Sequence, residues 1–404
     1  MNLKRGLNLP LLLLYGVGNI LGAGIYVLVG EVAEIAGYHA PVSFLLAAAI
    51  AGITGFTYIE LSTRYPVSAG EAVYVEEGFS IRWITLAVGL LVCASGIVSS
   101  ATLARGFVGY LDLFLALPDW LVILVLIWIL ALIAVVGISE SVTVASIFTV
   151  LEVIGLLVII WVSRDALLAV PEYMPRIVPD LTPGPWLGVV AGAFLSFFAF
   201  IGFEDMVNVA EEVKEPHKTL PRAIIAALVI CSLLYGLIAL VAVILVTPSE
   251  LAETGAPLAS VYQSATGKEP VFIGLLGLCA IVNGILIQVI MVSRILYGMA
   301  NRGWIWSPLA TVSERTRTPI NATLLVAAII SGLALTFSLV SLAAITSLVV
   351  LIIFSTMNAA LIAVKRKHPL PADAVAVPIW VPYIGLAGSV GLALVAWFLS
   401  LIHI

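Results

Sequence analysis

The sequence predicts an all-α membrane protein of about eleven transmembrane helices, built as two inverted repeats whose first and sixth helices are broken. Three observations carry that prediction. Hydrophobic residues make up 62% of the 404-residue chain and charged residues only 10%, with a mean hydropathy of +1.19. A typical soluble domain is about a quarter charged, so most of this apolar surface faces lipid or other membrane helices. Apolar stretches long enough to cross a bilayer recur from end to end. Two of them are interrupted by glycine near their middle.

A crossing helix needs roughly 20 mostly apolar residues. Eleven stretches qualify, at about 9–37, 41–63, 83–111, 120–139, 142–163, 186–212, 221–246, 270–300, 320–338, 342–364 and 382–402. The first follows Lys4 and Arg5 in the manner of a signal peptide. No small-residue cleavage pattern follows it, however, and the next span begins at once, so a retained helix is expected. Only short loops remain, which makes residues 1–404 one membrane domain. Repeat one covers about 9–163, repeat two about 186–364, and an extra helix about 382–402.

Loop charge predicts the orientation. With the amino terminus in the cytoplasm, that side receives Lys4, Arg5, Arg64, Arg82, Lys214, Lys218, Arg222, Arg302, Arg315, Arg317, Lys365, Arg366 and Lys367, thirteen in all. The outer loops receive Arg164, Arg176 and Lys268. Arg105 and Arg294 fall near helix ends, where snorkelling accounts for them. A cytoplasmic membrane is the expected location.

The first span reads GVGNILGAGIYVLVG (16–30) and the sixth FFAFIGFEDMVNVAEEV (197–213). Gly22 and Gly202 are 180 residues apart, in corresponding places of the two halves. Paired interruptions of this kind point to a transporter binding site. Unwound backbone at membrane depth persists only where it lines a polar cavity, because lipid satisfies neither N–H nor C=O. Free amides opening the outer half of span one, at Gly22, Ala23 and Gly24, suit a carboxylate. Carbonyls at Ile20 and around Phe198, Ala199, Phe200 and Ile201 suit an ammonium group. An α-amino acid carries both. The competing reading of Gly18-x-x-x-Gly22 is a helix-packing motif.

Intramembrane acids are functional candidates by default. Glu204 and Asp205 open the inner half of span six, where capping suffices for Asp205 and Glu204 is the candidate proton carrier. Glu152 stands alone in FTVLEVIGLLVII (148–160); it either carries a cation or proton or bonds across helices. Glu60, Glu71, Glu76 and Glu77, at or beyond the inner end of span two, and the charged loop EEVKEPHKTLPR (211–222) read mainly as solvated inner connections, with an inner gate as the alternative. Cys93, Cys231 and Cys279 read as small core residues, with no metal spacing and no cofactor implied.

The net charge of −5, without a long basic run, offers nothing to nucleic acid. No His-Glu-x-x-His, no Gly-x-Ser-x-Gly and no His or Cys cluster supports an enzyme. A channel would repeat its filter loops, and none repeats here. A membrane sensor that binds amino acids without moving them keeps the same features and stays open.

GNILGAGIY (18–26), YPVSAGEAVYVEEGF (65–79), FFAFIGFEDMVNVAEEVKEPHKTLPRAI (197–224) and SRILYGMANRGWI (293–305) with RTPINA (317–322) resemble the amino acid–polyamine–organocation superfamily. The resemblance implies a five-plus-five inverted repeat of the LeuT kind and alternating access around a central amino acid or amine. It implies that Gly22, Ala23 and Gly24 take the carboxylate. Carbonyls near Ile20, Phe198, Ala199 and Ile201 would take the ammonium, Phe198 or Phe200 would close over the substrate, and Glu204 would respond to protons. Some proton-coupled relatives place a lysine on span five; Glu152 stands there, so that coupling does not carry over. A neutral amino acid is the expected substrate, by proton symport or exchange. Polyamines or cationic amino acids, with Glu204 or Glu152 as counter-charge, are the alternative.

Overall fold

The structure is a computed structural model that describes residues 6–21, 24–67, 70–136, 142–314, 316 and 318–402. Helix α1 (Leu9–Leu21) is capped by Asn8, whose Oδ1 accepts the Leu11 amide at 3.1 Å. α2 (Gly24–Ala36) resumes two residues later; Gly22 and Ala23 lie outside the described residues. Pro41 sits in the first turn of α3 (Ala40–Arg64), where a missing N–H leaves no carbonyl unpaired.

α4 (Gly70–Phe79) is a short helix before α5 (Arg82–Leu111), α6 (Asp119–Val136) and α7 (Val142–Val162). α8 (Val170–Ile177) precedes α9 (Pro183–Ser196). After α9 the chain tightens into a 3₁₀ turn at Phe197–Phe200, breaks at Gly202, and continues as a second 3₁₀ segment, Glu204–Glu212. The inner half of span six is therefore not α-helical. Glu215, at φ +48°, turns the chain into α10 (Pro216–Leu245). Next come α11 (Pro248–Glu253), α12 (Pro257–Thr266), α13 (Val271–Asn301), α14 (Ile320–Thr336), α15 (Leu339–Lys367) and α16 (Trp380–Ile402).

Among the described residues seven helical runs are long and apolar enough to cross a membrane, or eight when Ser146–Val162 and Arg164–Ile177, bent by 56°, count as one. The sequence reading expects eleven. One run, Leu9–Arg64, is 56 residues long and merges two expected spans. α14, at 17 residues, spans only about 26 Å, short of a 30 Å hydrocarbon core. The outward faces are apolar: Leu132 is 63% exposed, Leu233 62% and Trp161 68%. Such residues are tolerated where lipid, not water, is the solvent. Cys279 is exposed on α13, against the expectation of three core cysteines.

In the interior α3 packs on α10 and α9, α5 on α13 and α15, and α1 on α10 and α7. Asn358 of α15 crosslinks to α3. Its Oδ1 accepts the Thr57 hydroxyl at 2.6 Å, and its Nδ2 donates to Thr54 Oγ1 at 3.1 Å. One basic face gathers the ends of many helices. There Leu7 pairs with residues 212–214: its amide donates to the Glu212 carbonyl at 3.0 Å and its carbonyl accepts the Lys214 amide at 2.8 Å. Glu60, expected to be solvated, is fully buried at that face. It binds Arg64 at 2.8 Å and Lys365 at 2.6 Å, and accepts the Val377 amide at 2.8 Å. A carboxylate facing two cations is stable out of water, which is why the loop reading fails for it.

Candidate substrate site

Glycines bring the two interruptions against each other. Gly202 has φ +121°, and a Cβ there would stand 2.6 Å from the Asn19 carbonyl oxygen at the end of α1. A Cβ on Gly24 would stand 2.9 Å from Ala199 Cα. Only backbone without side chains approaches so closely. Gly18 is different: a side chain there would strike Thr149 of α7, so this glycine serves packing.

Hydroxyls hold the ends of the break. Tyr235 of α10 donates to the Ile20 carbonyl at 2.6 Å, using one of the two lone pairs expected to meet an ammonium group. Tyr26 donates to the Glu152 carbonyl at 3.1 Å, and Tyr110 to the Tyr26 carbonyl at 2.8 Å, which fixes the first turns of α2. Phe198, Ala199 and Phe200 are buried, with the Phe200 and Tyr235 rings 5.1 Å apart.

Beside the break lies a pocket of about 20 Å³ lined by Ile201, Glu204, Asp205, Glu71, Ser99 and Gln288, among others. That holds a water molecule but not an amino acid. It adjoins a cavity of about 660 Å³ that shares Glu71, Asp205, Val92 and Met291 and reaches Arg302 and Trp304 at the basic face. Arg294, read as a snorkelling residue, lines this cavity.

Of the predicted residues, Ile201 and Glu204 line the pocket. Phe198, Ala199, Phe200, Ile20 and Gly24 are buried where α1, α2 and the span-six turn pack together and do not line it, and Gly22 and Ala23 lie outside the described residues. Glu204 turns back on its own helix, where its Oε2 accepts the Gly202 amide at 2.9 Å. The second 3₁₀ segment carries no side-chain cap, so the capping expected of Asp205 is not formed, and Glu204 instead ties the break at Gly202. Glu152 lies elsewhere, buried between α7 and α13. Its Oε1 is 3.5 Å from Asn283 Nδ2 and its Oε2 has no partner among the described residues.

Sequence reasoning passed over Glu71, taking it for a solvated charge. It is 5% exposed, next to Asn208, whose Oδ1 accepts the Gly70 amide at 3.1 Å. Burial pushes its carboxyl up to about 7; the Asp205 charge adds to this, and hydrogen bonds from its own backbone and from Asn208 oppose it. A signal was available in the string SAGEAVYV, where one acid stands among small and apolar residues.

A helical membrane protein whose break in span six packs against the end of α1 and the start of α2, with a polar pocket beside it, has the architecture of a substrate carrier. The chain belongs to the amino acid permease family, which it matches over residues 7–402. It is 30% identical over 400 residues to the mitochondrial cationic amino acid transporter 3 of Arabidopsis thaliana, covering 93% of this chain and 64% of that protein. It is 31% identical to the vacuolar cationic amino acid transporter 2 of the same plant, covering 92% and 62%. The branched-chain amino acid permease BcaP of Bacillus subtilis (strain 168) is 27% identical, covering 91% and 82%. The chain thus spans less than two thirds of the length of the two plant relatives. All three are named as permeases or transporters, not enzymes.

Proposed function

We infer that the protein is a secondary active amino acid transporter that works by alternating access. The observation that carries this reading is the contact of the two breaks, Gly202 on Asn19 and Gly24 on Ala199. A five-plus-five inverted repeat of the LeuT kind, over about 9–163 and 186–364, accounts for two breaks meeting at one place. The amides at 22–24 bind the substrate carboxylate, and the carbonyls at Phe198, Ala199 and Ile201 bind its ammonium group. The free lone pair of the Ile20 carbonyl adds a further acceptor. The protein resides in the cytoplasmic membrane with its basic face and amino terminus inside, and the large cavity is then the route to the cytoplasm.

The substrate is a neutral amino acid, moved with protons or by exchange. In support, the wall of the break is apolar, and Glu204 is engaged with the Gly202 amide, not aimed at a ligand. Glu204 and Glu152 are the proton-coupling acids of this reading. One observation favours a second reading: Glu71, Glu204 and Asp205 all line the pocket beside Ile201. If they stay charged, they are counter-charges for a cationic amino acid or polyamine.

Purified protein in liposomes, offered labelled neutral amino acids, cationic amino acids and polyamines, tests both. Uptake of a neutral amino acid driven by an imposed proton gradient is the expected result. Uptake confined to cationic substrates establishes the second reading. Uptake only against preloaded substrate identifies an exchanger, and binding without flux in every arm overturns transport.

A further inference from the structure

Glu71 and Asp205 sit on different elements, α4 and the inner 3₁₀ segment, and both line the pocket and the large cavity. Each is 5% exposed. Neither forms an ion pair among the described residues, although Arg294 and Arg302 of the α13 end line the same large cavity. Two further groups point to a ligand at this place. The Tyr58 and Tyr74 side chains are fully buried, and neither hydroxyl has a hydrogen-bond partner among the described residues. Tyr58 lies within electrostatic reach of Glu71, Glu204, Asp205 and Tyr74. Tyr74 reaches Glu71 in the same way. Two buried hydroxyls beside two carboxyls without a counter-charge cost free energy while both carboxyls stay ionised, and a proton relieves that charge.

No group of His, Cys, Asp and Glu among the described residues is placed to hold a metal ion. A proton needs no such cage. We propose that Glu71 and Asp205 form a proton-binding site at the inner end of the substrate route, one proton shared between α4 and span six. It exchanges with water through the large cavity. Binding converts one carboxylate to a carboxylic acid, which donates to its neighbour, and release returns the proton to that water. Glu152 lies apart from this site, between α7 and α13, and Glu204 lines the same small pocket but has its carboxylate engaged with the Gly202 amide.

The groups that face the pair come from every neighbouring element. They are Tyr15 of α1, Tyr58 of α3, Tyr74 of α4 and Thr85 of α5, with Glu204, Asn208 and Glu212 on the span-six side and Arg294 and Arg302 on the α13 side. α15, which also packs on α4, brings Lys367, whose Nζ donates to the Gly78 carbonyl at 2.7 Å, and His368, 4.0 Å from Glu77. Thr85 is engaged with Glu76 at 2.8 Å, and Tyr65 lies 6.5 Å from the Tyr74 ring. Glu71 holds its proton up to about 7, so the site empties within the physiological range.

The proposal rests on the transporter reading for its role, and its test has one readout that needs no transport. Thermal unfolding of the whole detergent-solubilised protein is followed between about pH 5 and pH 9, beside counterflow of labelled amino acid in liposomes at equal pH on both sides. In the native protein the unfolding temperature falls as pH rises from 4.5 and levels off at about 7. Glu71→Gln removes that transition, and Asp205→Asn moves it to lower pH, because it deletes the charge that raises Glu71. In counterflow, the wild-type rate changes several-fold across the same window and the Glu71→Gln rate stays flat. A transition retained in Glu71→Gln, or one unmoved by Asp205→Asn, overturns the proposal. If counterflow fails at every pH while both unfolding results hold, the transporter reading falls and the proton site stands.

Discussion

Glu60 and Glu71 lie eleven residues apart, and both are buried at the basic end of the bundle, yet they are built as opposites. Glu60 is surrounded: Arg64, Lys365 and the Val377 amide occupy both oxygens. Glu71 faces another carboxyl, an amide and two hydroxyls, with no cation paired to it among the described residues. A neutralised acid fixes geometry, here the docking of α15 and the 377 segment on α3. An acid without a counter-charge responds to what arrives. Burial alone therefore says little about an ionisable group; its partners decide whether it is a rivet or a receptor.

The sharpest way to break this comparison is Glu60→Ala. It leaves Arg64 and Lys365 facing each other in a buried place, at a cost of about 3–5 kcal/mol. Poor folding yield or a large fall in unfolding temperature is the expected outcome, and mild destabilisation would erase the distinction. Glu71→Gln works in the other direction. An acid whose folded pKa is raised from 4.5 to about 7 weakens the fold as pH climbs between those values. Full stability is present below 4.5 and the whole penalty is felt above 7. At about 1.4 kcal/mol per unit, the glutamine variant gains on the order of 3 kcal/mol at alkaline pH and nothing in acid, readable by denaturation at the two extremes.

Gly24→Leu leaves both acids untouched and strikes the break instead, driving a side chain into Ala199. Substrate affinity measured by equilibrium binding should fall roughly a hundredfold or more, equivalent to about 2.7 kcal/mol. The smallest effect belongs to Tyr74→Phe. Because the hydroxyl has no protein partner, its removal should change stability by less than about 1 kcal/mol at neutral pH, as read by the unfolding temperature. A larger loss would mean that the hydroxyl holds something the fold needs.

The helical, membrane-embedded class was plain from composition, and the break in span six from Gly202 with the acids that follow, while the break expected at Gly22 falls outside the described residues. Local sequence carries both signals. The 3₁₀ character of Glu204–Glu212 was not legible, since its apolar and polar residues fit an ordinary helix equally well. The partners of the buried acids were hidden for a different reason. Lys365 is 305 residues from Glu60, and Asn283 is 131 from Glu152, so no window along the chain joins them. That Glu204, and not its neighbour, reaches the Gly202 amide was equally hidden, because one residue along a tight helix turns a side chain by about a third of a revolution.

The pairing of Leu7 with residues 212–214 makes the amino-terminal segment a passenger of span six. Whenever the inner half of that span shifts, the chain ahead of α1 is drawn with it. A fluorophore placed at Asn8 would thus act as a needle on a dial, reporting each swing of the inner gate from a position far from the substrate. A bulky fusion at the same end would act as a brake.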